Sequence, residues 1–172
     1  TTASVWAESF SVINNQITAT NDIETTPTLG TDANSDLVVF TKHALTGGGF
    51  GPGSIHVQRL DANGAPLGFE IQVSNGFTDD QLDDVSGGLV VFTAFESVSS
   101  ALGQVIMYDI NATSEDPPRY PVTALSGPGL LMNEARIFGD TVVWLQGDSL
   151  RTIYMYDIAT GVASPIAGPG FL

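Results

Sequence analysis

Hydrophobic positions fall into short runs that return at a fixed interval. Val38-Val39-Phe40 recurs as Val90-Val91-Phe92 and again as Val142-Val143-Trp144, a constant step of 52 residues. A turn precedes each copy (Asn34-Ser35-Asp36, Ser86-Gly87-Gly88, Phe138-Gly139-Asp140), and a second β-rich run follows it: Ile55-His56-Val57, Val105 to Tyr108, Ile153 to Tyr156. Consecutive apolar residues predict a strand covered on both faces, whereas the alternation of Ile153, Met155 and Asp157 with Tyr154, Tyr156 and Ile158 predicts one drier and one wetter face. Repeats of roughly 40 to 50 residues with about four short strands each predict the blades of a β-propeller.

Within each unit the pattern predicts an innermost strand (26–30, 84–86, 135–138), then the Val-Val-aromatic strand, the alternating strand, and a partly polar outer strand (68–73, 120–124, 162–167). Pro121 and Pro165 suit an outer edge, which need not donate every ladder hydrogen bond. Asp61-Ala62-Asn63-Gly64 and Ala159-Thr160-Gly161 supply Gly or Asn where a turn needs positive φ. The longer turn at 111–118 should protrude. Residues 10–20 read as a hairpin around Asn14-Asn15, the last two strands of an earlier blade. The expected organisation is therefore all-β: a half-blade at 1–23, blades at 24–74 and 75–125, and a blade with the start of the next linker at 126–172. Closed propellers have roughly four to eight blades. Three complete four-stranded antiparallel blades and a half-blade predict part of a larger ring, completed by a second propeller chain, a second copy, or a further stretch of the same polypeptide.

Composition narrows the partners. Nineteen acidic side chains against five basic ones give a formal net charge of −14, which repels phosphate backbones and anionic lipid surfaces, so nucleic acid is not an expected partner. The chain has no Cys, which removes disulfides, thiolate metal sites and Cys nucleophiles. No apolar run reaches the roughly 20 residues of a membrane-spanning helix. The start at Thr1 without Met predicts a processed product or an excised fragment, and with few Lys and abundant Thr, Asn and Gly it points to a secreted or cell-surface protein.

The third unit, Ile137 to Trp144 followed by Ile153 to Gly161, carries Gly-Asp-x-Val-Val-Trp and Tyr-x-Tyr-Asp-x-x-Thr-Gly, and resembles the propeller repeat of microbial cell-surface proteins related to the TolB propeller. The second unit keeps Gly87, Val90 to Phe92 and Tyr108-Asp109-Ile110. The first keeps little beyond Leu37 to Phe40, Leu60, Asp61 and Gly64. This resemblance spans about residues 24 to 167 and implies a fold more than an activity: such families include binding platforms, surface-layer or assembly components and occasional enzymes.

Candidate chemistry is sparse. Asp32, Asn34 and Asp36 place oxygens at alternate positions, either the opening of a calcium loop or an Asx-rich turn; the Gly and distal Glu of a complete calcium loop are missing. Asp79, Asp80, Asp83 and Asp84 crowd the linker into the second unit, as a solvated acidic loop or a dock for a cation or basic partner. The glycine-rich segment 41–53 lacks the Lys-Ser/Thr of a phosphate loop, but its Lys42, His43 and Phe50 could touch a ligand or partner. Glu134, Arg136 and Arg151 complete the charged candidates for such contacts. His43 and His56 are the only histidines, and neither belongs to a metal-ligand pair; no nucleophile-elbow sequence accompanies the Ser and Asp residues. The expected function is a non-catalytic module for protein-protein interaction or assembly. The alternatives are a lectin-like propeller that binds glycan or calcium and a fragment of a propeller hydrolase or lyase.

Overall fold

The structure, a computed structural model, describes residues 22–47, 49–74, 79–97, 99–112, 123–126, 130–147 and 151–168. The expected hairpin at 10–20 and most of the turn at 111–118 lie outside them. Among the described residues there is no helix, and twelve strands run in chain order. The chain is all-β, as its short apolar runs predict.

The first sheet is an antiparallel meander of β1 (Ile23–Thr31), β2 (Asp36–Thr46), β3 (Gly49–Leu60) and β4 (Pro66–Gln72). The second contains β5 (Asp79–Ser86), β6 (Leu89–Phe95), β7 (Leu102–Asp109) and the short β8 (Thr123–Ala124), which pairs with β7. The third is β9 (Leu130–Phe138), β10 (Thr141–Gln146), β11 (Thr152–Asp157) and β12 (Val162–Ala167). A two-residue ladder, Leu102 with Leu131 and Gly103 with Leu130, ties the second sheet to the third. Pro165 sits on strand β12 opposite Tyr154, beside a register slip in the pairing with β11, a place where a sheet tolerates a residue without an N–H. The predicted turns form with Gly64 at φ 73° and Gly161 at φ 69°.

Alternate residues of each central strand face opposite neighbours. Leu37, Val39, Ile55, Val57 and Val73 of the first sheet pack against Leu82, Val85, Val90, Phe92 and Tyr108 of the second. From the other face of the second sheet, Val91, Val105, Met107 and Leu125 meet Ile137, Val142, Trp144 and Tyr156 of the third. Each sheet therefore has a front, turned to the sheet before it, and a back, turned to the sheet after it. Val90 and Phe92 are front residues, and so are Val142 and Trp144; Val39 and Val91 are back residues. Burying each of these side chains contributes about 1.5–3 kcal/mol before chain entropy is charged against it.

Polar contacts reinforce the repetition. The Ser74 hydroxyl accepts from the Ile55 amide at 2.7 Å, and 52 residues on the Ser126 hydroxyl accepts from the Val105 amide at 3.0 Å. The Val73 and Leu125 amides return bonds to the Ile55 and Val105 carbonyls. All three innermost strands slip register at corresponding places, between Thr25 and Thr28, Leu82 and Asp84, and Asn133 and Arg136. Two of these bulges hold a non-glycine residue at positive φ, Thr26 (49°) and Glu134 (46°).

Two expectations need correction. The innermost strands are longer than predicted, and the acidic segment expected to be a solvated linker is strand β5, with Asp79 and Asp80 buried. The glycine-rich segment 41–53 is not an open loop: β2 runs to Thr46 and β3 begins at Gly49, so Lys42, His43 and Phe50 lie on a long hairpin. Gly53 is required there, because a Cβ would stand 2.5 Å from the Asp80 carbonyl oxygen. Strand order satisfies backbone polar groups that an open loop would leave to water.

Candidate functional site

Residues two apart on a strand share a face, so Ser54 and His56 of β3 both point to the front of the first sheet. Register brings Lys42 opposite Ser54 and Phe40 opposite His56, and β4 adds Glu70 from the next strand. The Ser54 hydroxyl lies 2.9 Å from His56 Nε2 and donates weakly to the Lys42 carbonyl at 3.3 Å. Glu70 Oε1 is shared: it accepts from Lys42 Nζ at 2.8 Å and stands 2.6 Å from His56 Nδ1. That oxygen lies off the ring's N–H direction, so the two make no hydrogen bond and Nδ1 has no aligned acceptor. Phe40 stacks on the ring with centroids 5.9 Å apart and planes 20° apart. Asp22 approaches Lys42 at 3.9 Å.

This cluster is largely buried. Burial pushes the His56 imidazole below its usual pKa; Glu70 opposes that shift and Lys42 reinforces it. His56 is held neutral, with one nitrogen beside a hydroxyl and the other beside a carboxylate. Serine, histidine and carboxylate in that order can activate a nucleophile, or can simply satisfy a buried imidazole. Of this group only Lys42 was a candidate from sequence. The spacing of Ser54 and His56 on a predicted strand was the available signal; Glu70 arrives through strand pairing, which no local pattern reveals.

The acidic candidates separate into staples. Asp79 Oδ1 accepts from the Gly53 amide at 2.9 Å, joining the second sheet to the first, and its other oxygen accepts from Gln81. Asp84 Oδ2 accepts from the Ile137 amide at 3.1 Å, joining the second sheet to the third. Asp83 accepts from the Thr93 hydroxyl at 2.7 Å. Burial raises the Asp83 carboxyl to about 6, against the lowering effects of Thr93, the Ala135 amide and Arg136. Asp80 is buried in the same strand. Asp79 and Asp84 thus spend oxygens on opposite seams.

Asp32 Oδ1 accepts from the amides of Asn34 and Ser35, each at 2.8 Å, while Oδ2 accepts from Arg59 Nε at 2.8 Å. Burial alone would raise this carboxyl, but the Asn34 amide, Arg59 and Ser35 outweigh it and hold it below the ordinary value. The arrangement is an Asx turn clamped by a guanidinium. Asn34 and Asp36 are exposed beside a surface hollow that Asp32 also lines. Among the described residues, no group of three or more His, Asp or Glu side chains is arranged to hold a metal ion.

The remaining candidates lie apart. His43 Nδ1 is 3.1 Å from the Gly51 carbonyl and its ring tilts against the exposed Phe50. Glu134 and Arg151 are exposed. Arg136 donates to the carbonyls of Ala135 at 2.8 Å and Asp83 at 3.2 Å.

A surface that sequence reasoning did not single out is the back of the third sheet. Phe138, Val143, Leu145, Ile153 and Met155 share it by register. Phe138 is 89% exposed and Ile153 39%, and a hollow of about 330 Å3 opens between Arg136, Phe138, Thr141 and Val143. No helix among the described residues is long and apolar enough to cross a membrane. A scan against protein-family models and a search of curated proteins each give no match for this chain.

Proposed function

We propose that the chain is a non-catalytic segment of a TolB-like β-propeller in a secreted or cell-surface protein, serving protein-protein contact or assembly. Its three sheets are read as blades of a ring completed by another chain, a second copy or a further part of the same polypeptide. The observation that carries this reading is the uncovered back of the third sheet, where Phe138 stands 89% exposed although the corresponding faces of the other two sheets are buried in the core. A contiguous apolar sheet face in water marks a contact surface.

The test is native mass by sedimentation beside apolar-dye binding, for the wild type and Phe138→Asp. Dye binding, or association with a second chain, that Phe138→Asp removes supports the reading. A lone 18.0 kDa species that binds no dye overturns it.

A second reading, a hydrolase, rests on the Ser54 hydroxyl 2.9 Å from His56 Nε2, with the Glu70 carboxylate 2.6 Å from Nδ1 but not aligned to accept from it. It requires the Ser54 hydroxyl to react as a nucleophile. A fluorophosphonate probe should then label Ser54 and leave Ser54→Ala unlabelled; absence of labelling removes this reading.

A further inference from the structure

The back of the third sheet differs from the backs of the other two at two positions of its innermost strand. Pairing with the central strand defines those positions. Thr28, Asp84 and Arg136 lie opposite Val39, Val91 and Val143, and Gly30, Ser86 and Phe138 lie opposite Leu37, Leu89 and Thr141. In the first seam the position at Gly30 is a hollow: Val85 of the following sheet packs so closely that a Cβ on Gly30 would stand 2.7 Å from its Cγ1. The second seam repeats the pattern with small Ser86, and there the carboxylate of Asp84 receives the Ile137 amide. Val85 and Ile137 hold the same place in their sheets, opposite Val90 and Val142. The first seam thus sets a protruding front residue against a small back residue, and the second has residues of the same kinds at the corresponding places.

On the third sheet the small residue becomes Phe138 and the acceptor Asp84 becomes the donor Arg136. A front like those of the second or third sheet would bring a branched aliphatic residue onto the Phe138 ring. Resting on the assembly reading above, we propose that the back of the third sheet receives the apolar front of a partner protein's β-sheet, stacked as in the two seams. That front carries Gly or Ala where Val85 and Ile137 stand, to admit Phe138, and a carboxylate within reach of the Arg136 nitrogens other than Nη1, which is bound to the Ala135 and Asp83 carbonyls. The continuity of two successive front-to-back seams argues for a sheet as the occupant. A second copy of this chain is disfavoured, because Leu29, which holds the Val85 place at the front of its first sheet and is 76% exposed, is itself a branched aliphatic residue and would meet Phe138.

The test supplies such a sheet. Gly127-Pro128-Gly129-Leu130-Leu131 before the third unit is echoed by Gly168-Pro169-Gly170-Phe171-Leu172, so a repeat of residues 132–172 can be joined directly after Leu172. The added copy carries Ile137→Ala in one protein and keeps Ile137 in another. With Ile137→Ala, the extended chain should melt in one transition about 5 °C above the wild type and lose most apolar-dye binding. Phe138→Asp in the original third sheet should cancel both effects, and the extension that keeps Ile137 should show a smaller gain. Equal gains from both extensions overturn the requirement for a small residue. A separate transition for the added sheet, with dye binding unchanged, overturns the sheet as occupant.

Self-association of the unextended chain that Phe138→Asp abolishes assigns the face to a second copy and also overturns the proposal. Dye binding by the wild type, lost in Phe138→Asp, keeps the assembly reading standing when only the extended chains fail; absence of dye binding and of association removes both.

Discussion

Val91 and Val143 hold the same place in the repeat, second in the Val-Val-aromatic run and facing back, yet they live in different surroundings. Val91 is fully buried between the second and third sheets, packed with Ile137, Val142 and Trp144, whereas Val143 lines a surface hollow beside exposed Phe138. The difference teaches that the run encodes a two-sided strand without encoding who covers its second side. Burial here belongs to the seam, and the residue only makes a seam possible.

The sharpest way to break the comparison is charge. Val91→Asp puts an unpaired carboxylate in a dry seam and should cost about 4 kcal/mol or more, while Val143→Asp should cost under about 1 kcal/mol in the isolated chain. Urea midpoints measure both, and similar losses would mean that the open face is covered after all.

The second prediction concerns the natural charge in that seam. Asp83 has its carboxyl raised to about 6. In the unfolded chain it titrates near the model value of 3.8. Between these values the folded state alone keeps the proton, so this group's contribution to stability is largest below 3.8, falls as pH rises through the window, and is flat above about 6. Asp83→Asn should therefore stabilise the protein at pH 7 by up to about 3 kcal/mol, a shift of roughly two pH units, and the gain should vanish by pH 4.

A third prediction uses the other end of the array. His56 is held below its usual pKa, so acidification below about 6.5 protonates the unfolded chain first and withdraws stability, the opposite sign to Asp83. His56→Gln should flatten the loss seen between pH 7 and pH 5, measured by urea melts in the Asp83→Asn background so that the two groups are separated. An unchanged pH slope would show that Glu70 compensates the imidazole fully.

The smallest effect is expected at Asp32, at the edge of the first sheet. Asp32→Ala removes an Asx turn and the Arg59 clamp and should cost about 1–2 kcal/mol at pH 7. Because the folded carboxyl is depressed, the difference from wild type is present above 3.8 and should shrink as pH falls through the depressed value.

What could be read from the sequence follows from where the physics is local. The Val-Val-aromatic runs, the turns at Gly64 and Gly161 and the edge proline at Pro165 depend on neighbours a few residues away, and they form where expected. Residues 79–83 of strand β5 have the composition of a linker because Asp is a poor strand former. Its carboxylates are accommodated by donors from other sheets, Gly53 in front and Ile137 behind, which no window of sequence contains. The site at His56 was hidden for the same reason: Glu70 reaches it across a strand pair. The bulges at Thr26 and Glu134 break strand periodicity where β-branched and acidic residues give no warning.

Unlike front and back faces give the array a direction. A stack of identical two-faced plates can lose or gain one plate and leave the remaining joints as they were, because each joint is always a front meeting a back. Duplications or deletions of about 52 residues would thus keep the front-to-back order of the joints, whereas an insertion of one residue in a central strand would turn its apolar side the wrong way. Lineages of such chains are expected to vary in length by whole units, with the fit of each new joint set by the back residue at the place of Gly30, Ser86 and Phe138 and the front residue it meets.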